Sequence, residues 1–358
     1  MSSGGTGNNP WAWLGLLKWS LSYADGTSNE TPAPMSAEDR AFLEKVMKEG
    51  IINEGDRMQE ILKITTETMT KWKTSPWTQE EAEETEEHLQ ELRDIVEQID
   101  YARAFASMKG LPFLLGCAQE RTHMPPSTRI MCLGIIATMA GNNPPIQKEL
   151  LELGAIRTFS EIYFAEEQDA DSDSNGQLRA RVMQALSSTV RSHGMAEQVF
   201  CQTEQAVSLV ERGLGIESDE PLVLRQRSLF LLRALVTSDN SDRDHILRFT
   251  QSIVFALEHF TAAEQPDELR ELALGLMQRL LDQKKSVNMV LQRKNMLVAR
   301  GVERIAQLRS LTGEDREYAA TELELWESIL VLLARAEPDA PADPNVMLPP
   351  SNTHTLPQ

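Results

Sequence analysis

From residue 35 to about residue 335, apolar positions recur three and four places apart, and no stretch alternates apolar with polar over strand length between turns. This pattern predicts helices throughout and almost no β-structure. A first helix is expected after Pro34-Met35, with Ser36 as N-cap and Phe42, Leu43, Val46 and Met47 at helical spacing. A second is expected near Thr78, where Gln79-Glu80-Glu81 places acid in the first turn and the helix dipole favours it. Leu89, Leu92, Ile95, Val96 and Ile99 give that helix its apolar stripe.

Beyond residue 103 the pattern repeats. Leu178-Arg-Ala-Arg181-Val-Met-Gln-Ala-Leu186 returns 46 places on as Leu224-Arg-Gln-Arg227-Ser-Leu-Phe-Leu-Leu232. Leu269-Arg-Glu-Leu-Ala-Leu-Gly-Leu276 follows another 45 places on, and Arg129-Ile-Met-Cys-Leu-Gly-Ile-Ile136 lies about one period before the first. Shorter apolar segments sit between, such as Ile146 to Ile156, His245 to Ile253, and Met289 through Val302. A unit of ~40–47 residues built from two or three helices is the signature of armadillo-type stacking, in which each unit leaves an apolar face that only its neighbours can cover. The expected fold is therefore all-α: an armadillo-type helical repeat solenoid, a right-handed superhelix of four units. Residues 105–336 carry the repeats, 35–104 form a helical N-terminal cap, and the Pro-rich 337–358 is a disordered tail. The polar acidic stretch Glu166 to Gly176 reads as a loop between helices, without the closing Glu of a calcium loop.

Charge and composition narrow the function. A formal net charge of -19 repels phosphate backbones and anionic membrane surfaces, so neither nucleic acid nor membrane is an expected partner. Three cysteines, Cys117, Cys132 and Cys201, cannot close a disulfide framework and read as reduced core thiols. The six histidines, His88, His123, His193, His245, His259 and His354, are scattered without a second ligand at helical spacing, so no metal site is expected. Nucleotide-loop and nucleophile-elbow motifs are absent as well, and with them the usual grounds for an enzyme or a cofactor.

Residues 1–34 are rich in Gly, Ser, Asn, Thr and Pro, which reads as disorder, yet they hold an apolar island containing Trp11, Leu14, Leu16, Leu17 and Trp19. Lys18 interrupts it, no basic stretch precedes it, and it is too short to span a bilayer, so neither a signal peptide nor an anchor is expected. A cytoplasmic monomer, with nuclear entry left open, is the resulting expectation.

The block Pro34-Met-Ser-Ala-Glu-Asp-Arg-Ala-Phe-Leu-Glu-Lys-Val-Met47, the Glu97-Gln-Ile-Asp-Tyr-Ala102 turn and the two Leu-Arg-x-Arg helices, in this order, resemble the Hsp70-binding protein family of armadillo nucleotide-exchange factors. The Leu16-Leu-Lys-Trp-Ser-Leu21 island resembles that family's N-terminal element. The resemblance implies a co-chaperone that binds the ATPase domain of a DnaK-type heat shock protein 70, accelerates ADP release and promotes client release, with no catalytic residue. It implies chaperone contacts at Asp100, Ala102, Arg181 and Arg227, the arginines lying on the concave face. It also implies that Trp11, Leu14, Leu16, Leu17 and Trp19 act as a client mimic in the chaperone's peptide-binding domain. A competing class is an armadillo adaptor that holds an extended peptide along its groove; the asparagine ladder such adaptors use is replaced here by residues such as Ser188 and Ala234.

Overall fold

The repeat spacing becomes a row of long helices. The computed structural model describes residues 54–167, 173–216 and 218–338; the expected helix after Ser36, the Trp/Leu island and the tail beyond 338 lie outside the described residues. Every element among the described residues is an α-helix. Two helices come first, α1 (Glu54–Trp72) and α2 (Gln79–Ile95). Trios follow: α3 (Ile99–Ser107), α4 (Gly110–Gln119) and α5 (Pro126–Ala140); α6 (Pro144–Glu152), α7 (Ala155–Glu167) and α8 (Asp173–Val190); α9 (Gly194–Gln202), α10 (Ala206–Leu214) and α11 (Leu222–Val236); α12 (Arg243–Arg248), α13 (Thr250–His259) and α14 (Asp267–Asp282). The arrangement then recurs a fifth time, in α15 (Lys284–Leu291), α16 (Lys294–Ser310) and, after the short α17 (Glu314–Tyr318), α18 (Ala320–Arg335). The sequence copies support four units because α18 lacks the Leu-Arg opening.

The chain divides into two units after Lys63, and everything that follows concerns the second, 64 onward. Its spine is the succession α2, α5, α8, α11, α14, α18, each packed on the next. Helices so flanked are buried almost all round: Cys132, Leu133, Ile135 and Ile136 of α5 and Val182, Met183, Ala185 and Leu186 of α8 are all fully enclosed. Each of the buried Leu, Ile, Val and Met side chains contributes roughly 1.5–3 kcal/mol, so the row, rather than helix propensity, holds the unit together.

Local chemistry starts each element where it is needed. Thr78 caps α2 with a complete capping box: its hydroxyl accepts from the Glu81 N–H, and the Glu81 carboxylate accepts from the Thr78 N–H. Proline precedes three spine helices, and the carbonyls of Pro125, Pro221 and Pro266 accept the N–H of Arg129, Arg225 and Arg270 at 3.1 Å, giving those arginines one common register. The turns after α5 and α8 pass through left-handed backbone at Asn142 (φ 54) and Ser192 (φ 60), which lets the chain reverse into the next trio.

Two local expectations change. Ile99 is not in the stripe of α2: that helix ends when the Val96 N–H caps it on the Leu92 carbonyl, and Ile99 opens α3 with half its surface exposed. The stretch read as a loop over 166–176 begins and ends in helix, because the Glu166 carboxylate is buried on Arg129, Nη1 to Oε1 2.9 Å, and extends α7 to Glu167.

Candidate interaction surface

The Leu-Arg-x-Arg motif separates its two arginines by role. The first of each pair is engaged by an acid, Arg179 across to the neighbouring repeat and Arg225 in the loop before its own helix. Arg179 donates from both terminal nitrogens to Glu220, at 3.0 and 2.8 Å, and Arg225 pairs with Asp219. Arg129 on Glu166 and Arg270 on Glu322 repeat the device in the spine helices before and after. Arg179–Glu220 and Arg270–Glu322 are buried, forked ion pairs and Arg129–Glu166 is a buried single-bonded one, so the loss of any of these three would leave a charge without a partner; Asp219, by contrast, is exposed.

The second arginine of each motif faces out. Arg227 is exposed, and Arg181 is half-buried. The charges acting on Arg181 are those of Arg93 on α2 and of Arg227, and among the described residues no carboxylate forms an ion pair with Arg181 or Arg227. Burial first, and then the charges of Arg93 and Arg227, hold the Arg181 guanidinium below its ordinary value. Its stem lies 3.9 Å from the place where Gly134 of α5 would carry a Cβ, and its Nη1 donates to Gln184 at 2.8 Å. Arg93 donates from Nε to the Thr138 hydroxyl at 3.4 Å. Three cations thus stand together along α2, α8 and α11 in a chain whose net charge is strongly negative. Such a surface can bind an acidic partner, steer it electrostatically and discriminate against basic ones.

Asp100 is almost wholly exposed at the start of α3, where Arg103 Nη1 approaches it at 4.0 Å. Ala102 does not belong to the surface: its methyl is buried inside the first trio and offers nothing to a partner. A small side chain followed by Phe105 and Ala106 at helical spacing fits that packing role. Trp11, Leu14, Leu16, Leu17 and Trp19 lie outside the described residues. Sequence reasoning missed Arg93, whose signal was its place at the end of the α2 stripe, one position after Leu92.

Two of the three thiols are held in their protonated form. Cys117 and Cys132 are buried side by side, and the neighbouring Cys117 thiol together with burial raises Cys132 well above the ordinary range. Burial likewise pushes Cys201 up to about 11. A protonated thiol is a poor nucleophile and a poor metal ligand, so Cys132 and Cys201 serve packing. No described helix is long and apolar enough to cross a membrane, and no group of three metal-binding side chains occurs among the described residues.

Comparison with known proteins bears out the resemblance read from the residues. Residues 14–105 match the model of the nucleotide exchange factor Fes1 family. The chain is similar to Hsp70-binding protein 1 of Macaca fascicularis, 26% identical over 232 residues, covering 64% of this chain and 60% of that protein. The mouse protein, Mus musculus, is 26% identical over 247 residues (66% of each), and the human one, Homo sapiens, 26% over 225 residues (62% of this chain and 59% of that protein). The chain therefore spans about three fifths of the length of the curated relatives it matches. Among solved structures, a designed armadillo repeat protein superposes with a TM-score of 0.51 at 14% identity, covering 74% of this chain and 98% of that one. An engineered protein does so at 0.52 and 12%, covering 76% and 98%. These two likenesses show the fold, an all-helical armadillo-type repeat.

Proposed function

We propose that this chain is a nucleotide-exchange co-chaperone: it binds the ATPase domain of a DnaK-type heat shock protein 70, favours its opened form, and so speeds ADP loss and client release. The observation that carries this reading is the match of residues 14–105 to a nucleotide exchange factor family, supported by relatives named for Hsp70 binding. The task requires no catalytic side chain. A protein that prefers the nucleotide-free chaperone must weaken nucleotide binding by the same factor, because the coupling free energy is reciprocal. The outward-facing Arg181 and Arg227, with Arg93, are the docking residues, and they call for carboxylates on the chaperone surface opposite them. Asp100, exposed at the start of α3, is assigned a further chaperone contact. The chain acts as a monomer in the cytosol.

The second part of the proposal concerns Trp11, Leu14, Leu16, Leu17 and Trp19, which enter the chaperone's peptide-binding domain in place of client. Covalent attachment to a docked body raises their concentration near that groove to about the mM range, enough for a weak ligand to compete with rebinding client. Stopped-flow release of a fluorescent ADP from a cytosolic heat shock protein 70 tests the core of the reading. Acceleration that saturates with this protein is expected; an unchanged release rate at saturating concentration refutes it. Removal of residues 1–34 is expected to preserve ADP release and slow client release, and equal client release by both forms refutes the second part.

A further inference from the structure

Arg191, Arg233 and Arg279 line one cleft of about 560 Å³ with Ser192, Glu197 and Asn240. We propose that this cleft is a binding site for a phosphomonoester dianion, carried on a phosphorylated segment of a partner protein.

The three arginines come from the C-terminal ends of three successive spine helices: Arg191 directly follows α8, Arg233 lies in the last turn of α11, and Arg279 in that of α14. The carbonyls at a helix C-terminus favour one nearby cation, which accounts for each arginine separately. Their convergence on one cleft is a different matter, since like charges brought together without an acid in contact with them are unfavourable. Among the described residues, no carboxylate forms an ion pair with any of the three. The Arg191 guanidinium lies 5.2 Å from the ring centroid of Phe230, and the Arg233 Nη1 lies 3.0 Å from where Gly275 would carry a Cβ. Burial and then the charge of Arg279 hold the Arg233 guanidinium below its ordinary value.

Two carboxylates face the same space. Glu197 is buried and spent: it accepts from the Ser192 N–H at 2.9 Å, the Ser238 hydroxyl at 2.6 Å and the Asn240 amide at 3.4 Å. Asp239 is exposed at the rim and bonds to none of the arginines. Three guanidinium groups against two carboxylates, neither of which contacts them, leave the cleft with net positive charge. Several guanidinium forks suit a group with two charges and three acceptor oxygens, whereas a single carboxylate saturates one fork. The cleft is also distinct from the docking arginines. Six helical residues separate Arg227 from Arg233, about 9 Å along the axis, and ten separate Arg181 from Arg191, about 15 Å.

Calorimetric titration of the full chain tests the proposal without any chaperone, so its outcome is independent of the docking reading. The probes are inorganic phosphate and a capped Gly-Ala-phosphoserine-Ala-Gly peptide, with unphosphorylated and aspartate-containing versions as controls. The phosphopeptide is expected to bind at least tenfold more tightly than either control. Arg279→Gln, at an exposed position, and the double variant Arg233→Gln/Arg279→Gln are expected to lose at least tenfold, with melting curves reported alongside. Arg181→Gln/Arg227→Gln is expected to leave phosphate binding unchanged. A phosphopeptide that binds more tightly than inorganic phosphate assigns the site to a phosphoprotein; equal binding of the two, equal binding of the phosphorylated and control peptides, or wild-type affinity in a folded Arg279→Gln protein overturns the proposal.

Discussion

Arg270 and Glu322, 52 residues apart in the chain, meet as a forked pair at the junction of α14 and α18: Nε donates to Oε1 at 3.0 Å and Nη2 to Oε2 at 2.8 Å, both side chains at 5% exposure or less. Arg304 of α16 donates to the same two oxygens at 2.9 and 3.0 Å, so one carboxylate ties the last trio to the one before it.

The pH dependence of this junction follows from Glu322. Burial alone would raise its pKa, but the hydrogen bonds and charges of Arg304 and Arg270 outweigh burial and hold it at about 2, against an ordinary 4.5. A folded-state pKa depressed in this way contributes stability that is fully present above pH 4.5 and is lost as pH falls through 2. The contribution is about 3 kcal/mol. Glu322→Gln is expected to lower stability by about that amount at pH 7 and to flatten the acid limb between pH 4.5 and 2. Denaturant melts at pH 7, 4 and 3 check it: a variant whose stability falls as steeply with acid as the wild type removes Glu322 from the explanation.

Leu232, on the buried face of α11, has no exposed surface. Leu232→Ala leaves a cavity in the middle of the row, where neighbours on both sides limit collapse, and is expected to cost ~2–5 kcal/mol. Chemical denaturation followed by circular dichroism measures this directly. A midpoint equal to wild type would mean that the helix has a different register.

The helical periods told most of the fold: Leu178, Leu224 and Leu269, the residues that define the repeat, are all fully buried in equivalent places. Thr78 announced α2 because a capping box is local chemistry. Helix α1 went unremarked, although Thr65, Met69 and Trp72 are buried at helical spacing and were readable. What local spacing could not carry was the pairing of arginines with acids 37 to 52 residues away, as in Arg129 with Glu166 and Arg270 with Glu322. Arg179 and Arg181 look alike in sequence, and only the neighbouring repeat distinguishes the arginine held by a carboxylate from the one without one. Ala102 misled for a related reason, since smallness serves tight internal packing as well as close approach by a partner.

Gly213 of α10 packs directly against Ser228 of α11. A Cβ there would lie 2.2 Å from the Ser228 Oγ and 3.0 Å from the Ser228 Cβ, with the Met183 Cε at 3.4 Å behind. Ser228 is itself fixed, its hydroxyl donating to the Leu224 carbonyl at 2.8 Å. Gly213→Ala is therefore expected to destabilise by ~1–3 kcal/mol despite the better helix propensity of alanine. Adding Ser228→Ala removes the nearest atom and is expected to recover part of that loss, a non-additivity of at least about 0.5 kcal/mol in a double-mutant cycle. Strict additivity would place the strain elsewhere.

Arg227 and Arg179 offer the sharpest separation of function from fold, because each occurs in a Leu-Arg-x-Arg helix and only one is bound to an acid. Arg227 is exposed with no carboxylate partner, so Arg227→Glu removes no internal contact and is expected to keep the wild-type melting temperature. At the docking surface the same change reverses a charge beside Arg181. The expected loss of chaperone affinity is about 2 kcal/mol or more, roughly 30-fold in Kd, with a matching loss in ADP-release efficiency. Arg179→Ala should behave in the opposite way. It strands the Glu220 carboxylate, which is buried and also receives the Ser218 hydroxyl at 3.0 Å, and breaking such a pair costs ~3–5 kcal/mol of stability. Affinity measured on the fraction of Arg179→Ala that remains folded should match wild type. Calorimetric titration against the isolated ATPase domain, with thermal melts of the same samples, distinguishes the cases. Unchanged affinity in a folded Arg227→Glu protein would remove the outward arginines from the docking surface, while a stability loss in Arg227→Glu as large as that of Arg179→Ala would show that the second arginine of the motif is structural too.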